Sequence, residues 1–329
     1  MSFKIGPYTF NTSVALAPMA GVTDRPFRQM CRSFGACFTV SEMISSKADL
    51  RHTRKSQLRM NHEGEPEPII VQIAGTEPQV MADAALYQIE NGANIIDINM
   101  GCPAKKVCKV DAGSALMKDE AKVESILSAV VEASTIPVTL KTRLGWNSEH
   151  KNILRIAKIA ENAGIQALSI HGRTREQKYL GDADYTLIKT VKQQLNIPII
   201  ANGDIKDEKK AQQVMDFTQC DAIMVGRIAQ QKPWVFKTIN AFLKDGTIID
   251  EPSLQQQKQW LLEHLQNLYL FYGNAQGTRI ARKHINWQRN HEPYFLSIKH
   301  EIMTTTDSAI QYKLVGHYFD YLLDKGITH

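Results

Sequence analysis

Eight short apolar runs rich in β-branched residues recur along the chain as far as Val225, separated for most of the way by amphipathic stretches. This alternation limits the fold more than any other feature. The runs are Val14–Ala17, Phe38–Ser41, Ile69–Ile73, Ile95–Asn99, Val138–Thr142, Ala167–His171, Pro198–Ala201 and Ala222–Val225. Most are apolar nearly throughout, as parallel strands buried on both faces are. Helical periodicity fills Pro78–Asn91, Ala121–Ala133, Leu154–Asn162, Tyr185–Gln194 and Lys209–Phe217. Asn91-Gly92 and Ala163-Gly164 are helix-ending signals. Eight βα units in roughly 230 residues match a (β/α)8 TIM barrel. A doubly wound open sheet is the competing arrangement. It calls for a glycine-rich phosphate turn after the first strand, where this chain has Ala17-Pro18-Met19-Ala20-Gly21.

The pattern changes near Asp245-Gly246 and Glu251-Pro252. Beyond it, Leu254–Tyr272 reads as one amphipathic helix, Gly273–Gly277 as a break, and Thr278–Arg289 and Ala309–Leu323 as further helices. The expected organisation is a barrel over residues 1–248 and a small all-helical domain over 249–329. At 43% hydrophobic and 22% charged, the 329 residues carry an ordinary globular core. The formal charge of +5 is too mild to name a partner. Five cysteines without a Cys-x-x-Cys pair argue against a closed zinc site, so no metal is expected. No signal-peptide core or membrane span is visible, and a reduced, cytoplasmic monomer is expected.

In a barrel of this kind chemistry collects on the loops after the strands. Polar and glycine residues gather there: Pro18, Met19 and Ala20 after the first strand, and Gln72 in the third. Asn99 and Gly101-Cys102-Pro103 end the fourth, with Lys141 and Arg143 in the fifth and His171 in the sixth. Asn202-Gly203-Asp204 ends the seventh and Gly226-Arg227 the eighth. A lysine at a buried strand end needs an anion: a barrel acid such as Asp97, or a cofactor or phosphate. The two glycine corners fit phosphate binding or ordinary turns. His171 fits a core histidine as well as a ligand. Cys102 sits on a turn, where a thiol can donate a proton or, with a base, act as nucleophile.

These residues, read in order, resemble the tRNA-dihydrouridine synthase family, and within it the bacterial B type. The matching pieces include Ala17–Arg28, Ser41-Glu42-Met43, Val71–Gly75, Asp97–Val107, Gly113–Leu116, Leu140–Arg143, His171–Thr174, Ala201–Ile205, Val225–Arg227 and Arg279–Ile285. The resemblance implies an FMN-bearing barrel, reduced by NADPH or NADH, with a helical tRNA-binding domain. It implies hydride delivery to C6 of a uracil and a proton from Cys102 to C5, with U17 of the D-loop as target. It assigns FMN to Pro18, Met19, Ala20, Gln72, Lys141, His171, Asn202, Gly203, Asp204, Gly226 and Arg227. Asn99 would orient the base beside Cys102 or brace the turn. In the tail, Arg279, Arg282 and Lys283 share a helical face that could meet RNA phosphates or simply be solvated, with His284 and Arg289 close by. Arg25, Arg28, Lys105 and Lys106 would add positive charge at the barrel mouth. The stretch Gln288–His291 departs from the family pattern. The competing functions are an FMN barrel oxidoreductase acting on a small pyrimidine such as dihydroorotate, and a non-enzymatic RNA-binding protein on a barrel relic.

Overall fold

The structure is a computed structural model and describes residues 2–289 and 293–327, with nothing beyond the backbone for Pro293. Within the Gln288–His291 departure, Asn290 and His291 therefore lie outside the described residues. The chain forms two compact units. One comprises residues 1–226 and 234–247, the other residues 227–233 and 248–329.

The first unit is the barrel. It opens with an antiparallel hairpin of β1 (Phe3–Ile5) and β2 (Tyr8–Phe10), too short for the sequence pattern to flag. Then come β3 (Val14–Leu16), α1 (Arg25–Ser33), β4 (Ile44–Ser45), α2 (Arg54–Met60), β5 (Ile70–Ala74), α3 (Pro78–Glu90), β6 (Ile95–Met100) and the single turn α4 (Lys105–Cys108). They continue with α5 (Glu120–Ala133), β7 (Val138–Arg143), α6 (Ile153–Asn162), β8 (Leu168–His171), α7 (Thr186–Gln194), β9 (Ile199–Asn202), α8 (Glu208–Thr218) and β10 (Ala222–Val225). After the single turn α9 (Ile228–Gln231), α10 (Val235–Asp245) returns to the barrel unit.

All strand pairs from β3 to β10 are parallel, in the order β3-β10-β9-β8-β7-β6-β5-β4. The expected regular strand over Phe38–Ser41 is instead a pair of single parallel bridges, Leu16 to Thr39 and Val40 to Ile70. Those bridges join the first and third barrel strands into a ring, which an open doubly wound sheet does not have. The regular β4 lies a few residues later, against Ile73 and Ala74.

Polarity changes along the barrel axis. At the amino-terminal end of the strands Phe3, Phe10 and Phe38 stack with Ala15, Ile70, Ile95, Ala167 and Ala222. The hairpin closes this end with aromatic surface, each such side chain contributing about 2 kcal/mol of burial. Further along, Asp97, Thr139 and Ser169 join Ile200 and Met224 around a small cavity. At the carboxyl end Gln72, Asn99, Lys141, His171 and Asn202 are buried together with few apolar neighbours in register. Such a layer is stable only if its polar groups bond one another or a ligand.

The second unit is all helical: α11 (Leu254–Tyr272), α12 (Asn274–Arg289), α13 (Pro293–Thr304) and α14 (Ser308–Asp324). Ser253 and Gln256 form a reciprocal capping box that starts α11. Leu261, Leu265, Leu268, Ala281, Ile285, Phe295, Ile302, Val315 and Phe319 make its core. The break after α11 is Gly273 alone, at φ +81. Gly277 is already inside α12, where a Cβ would come within 2.8 Å of the Tyr269 Cα. Its lack of a side chain lets the two helices cross closely. Among the described residues no helix is long and apolar enough to cross a membrane.

Candidate active site at the barrel mouth

The parallel register places the polar residues of neighbouring strands side by side. Gln72 is opposite Asp97, Asn99 opposite Lys141, and His171 opposite both Arg143 and Asn202. Lys141 is 9% exposed, and its Nζ donates to Asn202 Oδ1 at 3.1 Å. No carboxylate among the described residues lies within ion-pair reach of it, so the suggested Lys141–Asp97 salt bridge does not form. Burial draws the ammonium down from 10.5 to about 8, with Arg143 adding to the effect and Asp97 and Cys102 opposing it. Asn202 is held in turn by donating to Met224 O at 2.7 Å.

Arg143, two residues on from Lys141, is buried as well. It bonds backbone carbonyls: Nε to Gly101 O at 2.7 Å, and Nη1 to Thr174 O and Lys178 O. Burial again lowers its value, to about 10. Two buried cations with no carboxylate between them make this end of the barrel a place that favours an anion. Tyr179, about half exposed, has its ring 5.8 Å from the Arg143 guanidinium and 6.3 Å from the His171 ring.

Cys102 stands on the loop after β6. Burial pushes its thiol above the ordinary value, while the Ala104 backbone N–H opposes this. The thiol is therefore protonated at neutral pH, the state a proton donor requires and a nucleophile does not. The loop is tied down by its backbone. Asn99 Oδ1 accepts from Cys102 N at 3.0 Å and from Gly101 N at 3.3 Å. The Cys102 carbonyl accepts from Ser114 N, Ser114 Oγ and Cys108 Sγ. Gly113 makes this possible, since at φ +61 a Cβ would sit 2.8 Å from the Cys102 oxygen. Asn99 thus braces the turn in this structure, one of the two roles expected for it.

At the seventh-strand corner the predicted set separates by chemistry. The Asp204 carboxylate is taken by both guanidinium nitrogens of buried Arg173, at 2.9 and 2.6 Å, and by Ala183 N at 2.8 Å. What Asp204 can offer an anion is its backbone, held at φ +49. Gly203 packs against His171, whose Cδ2 a Cβ would approach to 3.0 Å. Gly226 is open by contrast, with Met19 Sδ and Ala17 Cβ the nearest atoms to a Cβ, at 3.8 and 3.9 Å. Arg227 follows it directly, opens α9 and is exposed. Met19 accepts from Val22 N and Thr23 N, and Gly21 N donates to Glu42, which also pairs with Arg59. Those bonds shape the Pro18–Ala20 turn.

Some other expected contributors are consumed by the fold and others stay exposed. Arg28 is buried against Glu65, and Arg25 pairs with Glu63 at 2.9 Å. Lys105 and Lys106 are exposed. In the helical unit the basic run does not form one solvated stripe. Arg279 is exposed. Half-buried Arg282 donates to Thr305 O at 2.9 Å at the end of α13, and Lys283 lies over Trp287. His284 and Arg289 are buried, Arg289 over the Phe319 ring and bonded to Gln257. The residues that sequence reasoning left without a role are Arg143, Arg173, Cys108 and Ser114, and Asp97 serves otherwise than as the suggested partner of Lys141. Only Arg143 carried a local signal, its period-two spacing from Lys141. Among the described residues no group of three or more His, Cys, Asp or Glu could hold a metal.

The residues present fit an anionic cofactor. Lys141 Nζ is buried and bonded to a neutral amide oxygen, Gly226 leaves open room, and backbone turns flank both.

The chain is 52% identical over 320 residues to tRNA-dihydrouridine synthase B of Xanthomonas campestris pv. campestris, covering 97% of this chain and 96% of that one. It is 50% identical over 316 residues to the protein of the same name from Pseudomonas aeruginosa, covering 96% and 95%. Among solved structures, a 2-naphthoyl-CoA reductase complex superposes with a TM-score of 0.58 at 13% identity, covering 72% of this chain and 51% of that one. A variant of NCR from Zymomonas mobilis does so at 0.53 and 14%, covering 79% and 94%. At such identities these two share the fold alone. The family model for dihydrouridine synthases matches residues 15–318, nearly the whole chain. By that match and by the identity to its relatives, this chain belongs to the dihydrouridine synthase family of enzymes.

Proposed function

We propose that this protein reduces uridine to 5,6-dihydrouridine in the D-loop of transfer RNA, with FMN as its cofactor, NADPH as the reductant and U17 as the target. The observation that carries the chemistry is a half-buried free thiol, Cys102, on a loop joined to a mouth lined by two buried cations without carboxylates.

Lys141, His171, Gln72, Asn202, the backbone of Gly203 and Asp204, Gly226 and the Pro18-Met19-Ala20 turn would hold FMN. The bound flavin supplies hydride transfer to C6 of the uracil. Every other part falls to the chain. Lys141 stabilises negative charge at the mouth, where burial makes its charge count for more than in water. Cys102 Sγ gives its proton to C5, a role that suits a thiol kept neutral. Asn99, Ser114 and Cys108 hold the loop that carries it. The target base must leave its stacked surroundings to reach this depth. Arg279 and Lys283 on α12 are the candidate phosphate contacts of the helical unit.

The test is direct. Purified protein should carry flavin absorbance and form dihydrouridine in unmodified tRNA when given NADPH. Flavin binding with no reduction of tRNA overturns the reading, and turnover of a free pyrimidine in its place supports the small-molecule alternative. Mapping dihydrouridine in tRNA from a strain lacking the protein identifies the position.

A further inference from the structure

Four side chains and one backbone turn form a single chain of hydrogen bonds through the polar layer of the barrel. Thr139 Oγ1 donates to Asp97 Oδ1 at 2.7 Å. Gln72 Nε2 donates to Asp97 Oδ2 at 2.7 Å. Asn99 Nδ2 donates to Gln72 Oε1 at 2.7 Å. Asn99 Oδ1 then accepts from Gly101 N and Cys102 N. We propose that Asp97 is a positioning residue for Cys102, acting through Gln72 and Asn99 to fix the turn that carries the thiol.

The argument rests on donor and acceptor inventory. Burial pushes the Asp97 carboxyl up, while the bonds from Gln72 and Thr139 and the charge of Lys141 hold it down. Its Oδ2, which accepts from Gln72, obliges Gln72 to turn its NH2 toward Asp97 and its oxygen toward Asn99. That oxygen obliges Asn99 to turn its own NH2 toward Gln72, leaving its oxygen for the loop. Each amide is set by its neighbour, and the accepting Asp97 oxygen decides the direction of all of them.

Burial decides which end yields if Asp97 is lost. Gln72 is 1% exposed and Asp97 3%, whereas Gly101 and Cys102 are only half-buried. Without Asp97, the Gln72 NH2 is stranded in the interior unless Gln72 turns over. An unsatisfied buried donor costs more than one that water can reach. Gln72 would therefore turn and offer its NH2 to Asn99. Asn99 would turn with it, and its NH2 would then face the two loop N–H groups it now accepts from. The disturbance is delivered to Cys102, five residues away in sequence.

This inference rests on the proposed role of Cys102 for its functional meaning, but the experiment separates the two. The direct readout is exchange of the Gly101 and Cys102 amide hydrogens, which needs neither cofactor nor RNA. In Asp97→Leu both amides are expected to exchange about tenfold faster, the loss of a hydrogen bond of ordinary strength. In Asp97→Asn, which can present its oxygen to Gln72 and its NH2 to the Thr139 oxygen, exchange stays within about twofold of the wild type. Asp97→Ala serves where leucine does not fold. Unchanged exchange in the apolar variants overturns the proposal, as does an Asp97→Asn variant as impaired as Asp97→Leu. A second readout is dihydrouridine formation per bound flavin, expected to fall about tenfold in Asp97→Leu. Should the wild type form no dihydrouridine, the functional reading fails while the exchange rates still decide the relay.

Discussion

The two units treat buried polarity in opposite ways. At the barrel mouth the buried polar groups run toward a half-buried loop, and two of the cations among them, Lys141 and Arg143, lack carboxylate partners. In the helical unit the buried rings and guanidinium groups contact one another and neighbouring residues of the unit. His264 and His284 meet at 3.1 Å between ring nitrogens, Arg289 lies on Phe319 and Gln257, and Arg282 finishes another helix. A closed set stabilises a fold, whereas one left short of a counter-charge is arranged for something that arrives. The contrast separates residues that hold the structure from those that await a ligand, a distinction that charge and residue type do not draw.

The largest test of this contrast is at the thiol. Cys102→Ala is expected to keep bound flavin and lose dihydrouridine formation by about a hundredfold or more, the usual contribution of a positioned proton donor. Near wild-type turnover would remove Cys102 from the chemistry and leave the mouth as a binding site only. Next comes Lys141→Met, for which flavin affinity should fall about tenfold or more with the loss of a buried charge-assisted contact. In the wild type the same affinity should weaken as pH rises through about 8, where Lys141 loses its proton. The flavin-free chain should behave in the opposite sense. Its unfolded state holds that proton up to 10.5, so between about 8 and 10.5 its stability rises with pH. A flavin affinity flat across this range breaks the reading of Lys141 as the counter-charge.

The closed unit makes its own prediction. Burial, and secondarily Lys283, lowers His264 to about 3, and burial, with His264 and Lys283 beside it, likewise draws His284 well below its ordinary value. The folded unit keeps both rings neutral while the unfolded chain titrates near 6.5. Stability is therefore full above that pH and lost as pH falls, by about 2 kcal/mol at pH 5 for one ring. His264→Phe should reduce this acid loss in a denaturation series, and an unchanged pH profile would show that the pair is not closed as described. The smallest effect separates two neighbouring arginines. Arg279→Ala should lower the salt slope of tRNA binding by up to about one and leave stability alone. Arg282→Ala should cost about 1 kcal/mol of stability in the helical unit through the Thr305 carbonyl. Equal effects from both would return the basic run to a uniform solvated face.

Much of the scaffold was legible because its signals are local. Seven of the eight runs overlap a regular strand, since continuous β-branched sequence has few other places to go. Leu254–Tyr272 matches α11 end to end, because Ser253 and Gly273 mark its ends chemically. Three features were hidden. The hairpin of β1 and β2 is held by aromatic packing rather than strand length. The strand expected at Phe38–Ser41 pairs only through single bridges, so a strand-like composition is spent on closing a ring. Helix α13 lacks a basic last turn or an acidic first turn, and only Pro293 at its first position marks its start.

The same division runs through the site. By itself the sequence determined the alternation that makes a barrel, and the strand-end residues, Cys102, Lys141 and His171 among them, because period and turn chemistry act over a few residues. Only the tertiary structure decided which of those groups are committed. Asp204 and Arg173 lie 31 residues apart in the chain and consume each other's charge. Asp97 reaches Cys102 through Gln72, which is 25 residues earlier. Lys141 remains without a carboxylate because the register sets it opposite Asn99 and Ser169, both neutral. Hydrogen bonds and ion pairs depend on distances across strands, and those distances exist only once the ring has closed.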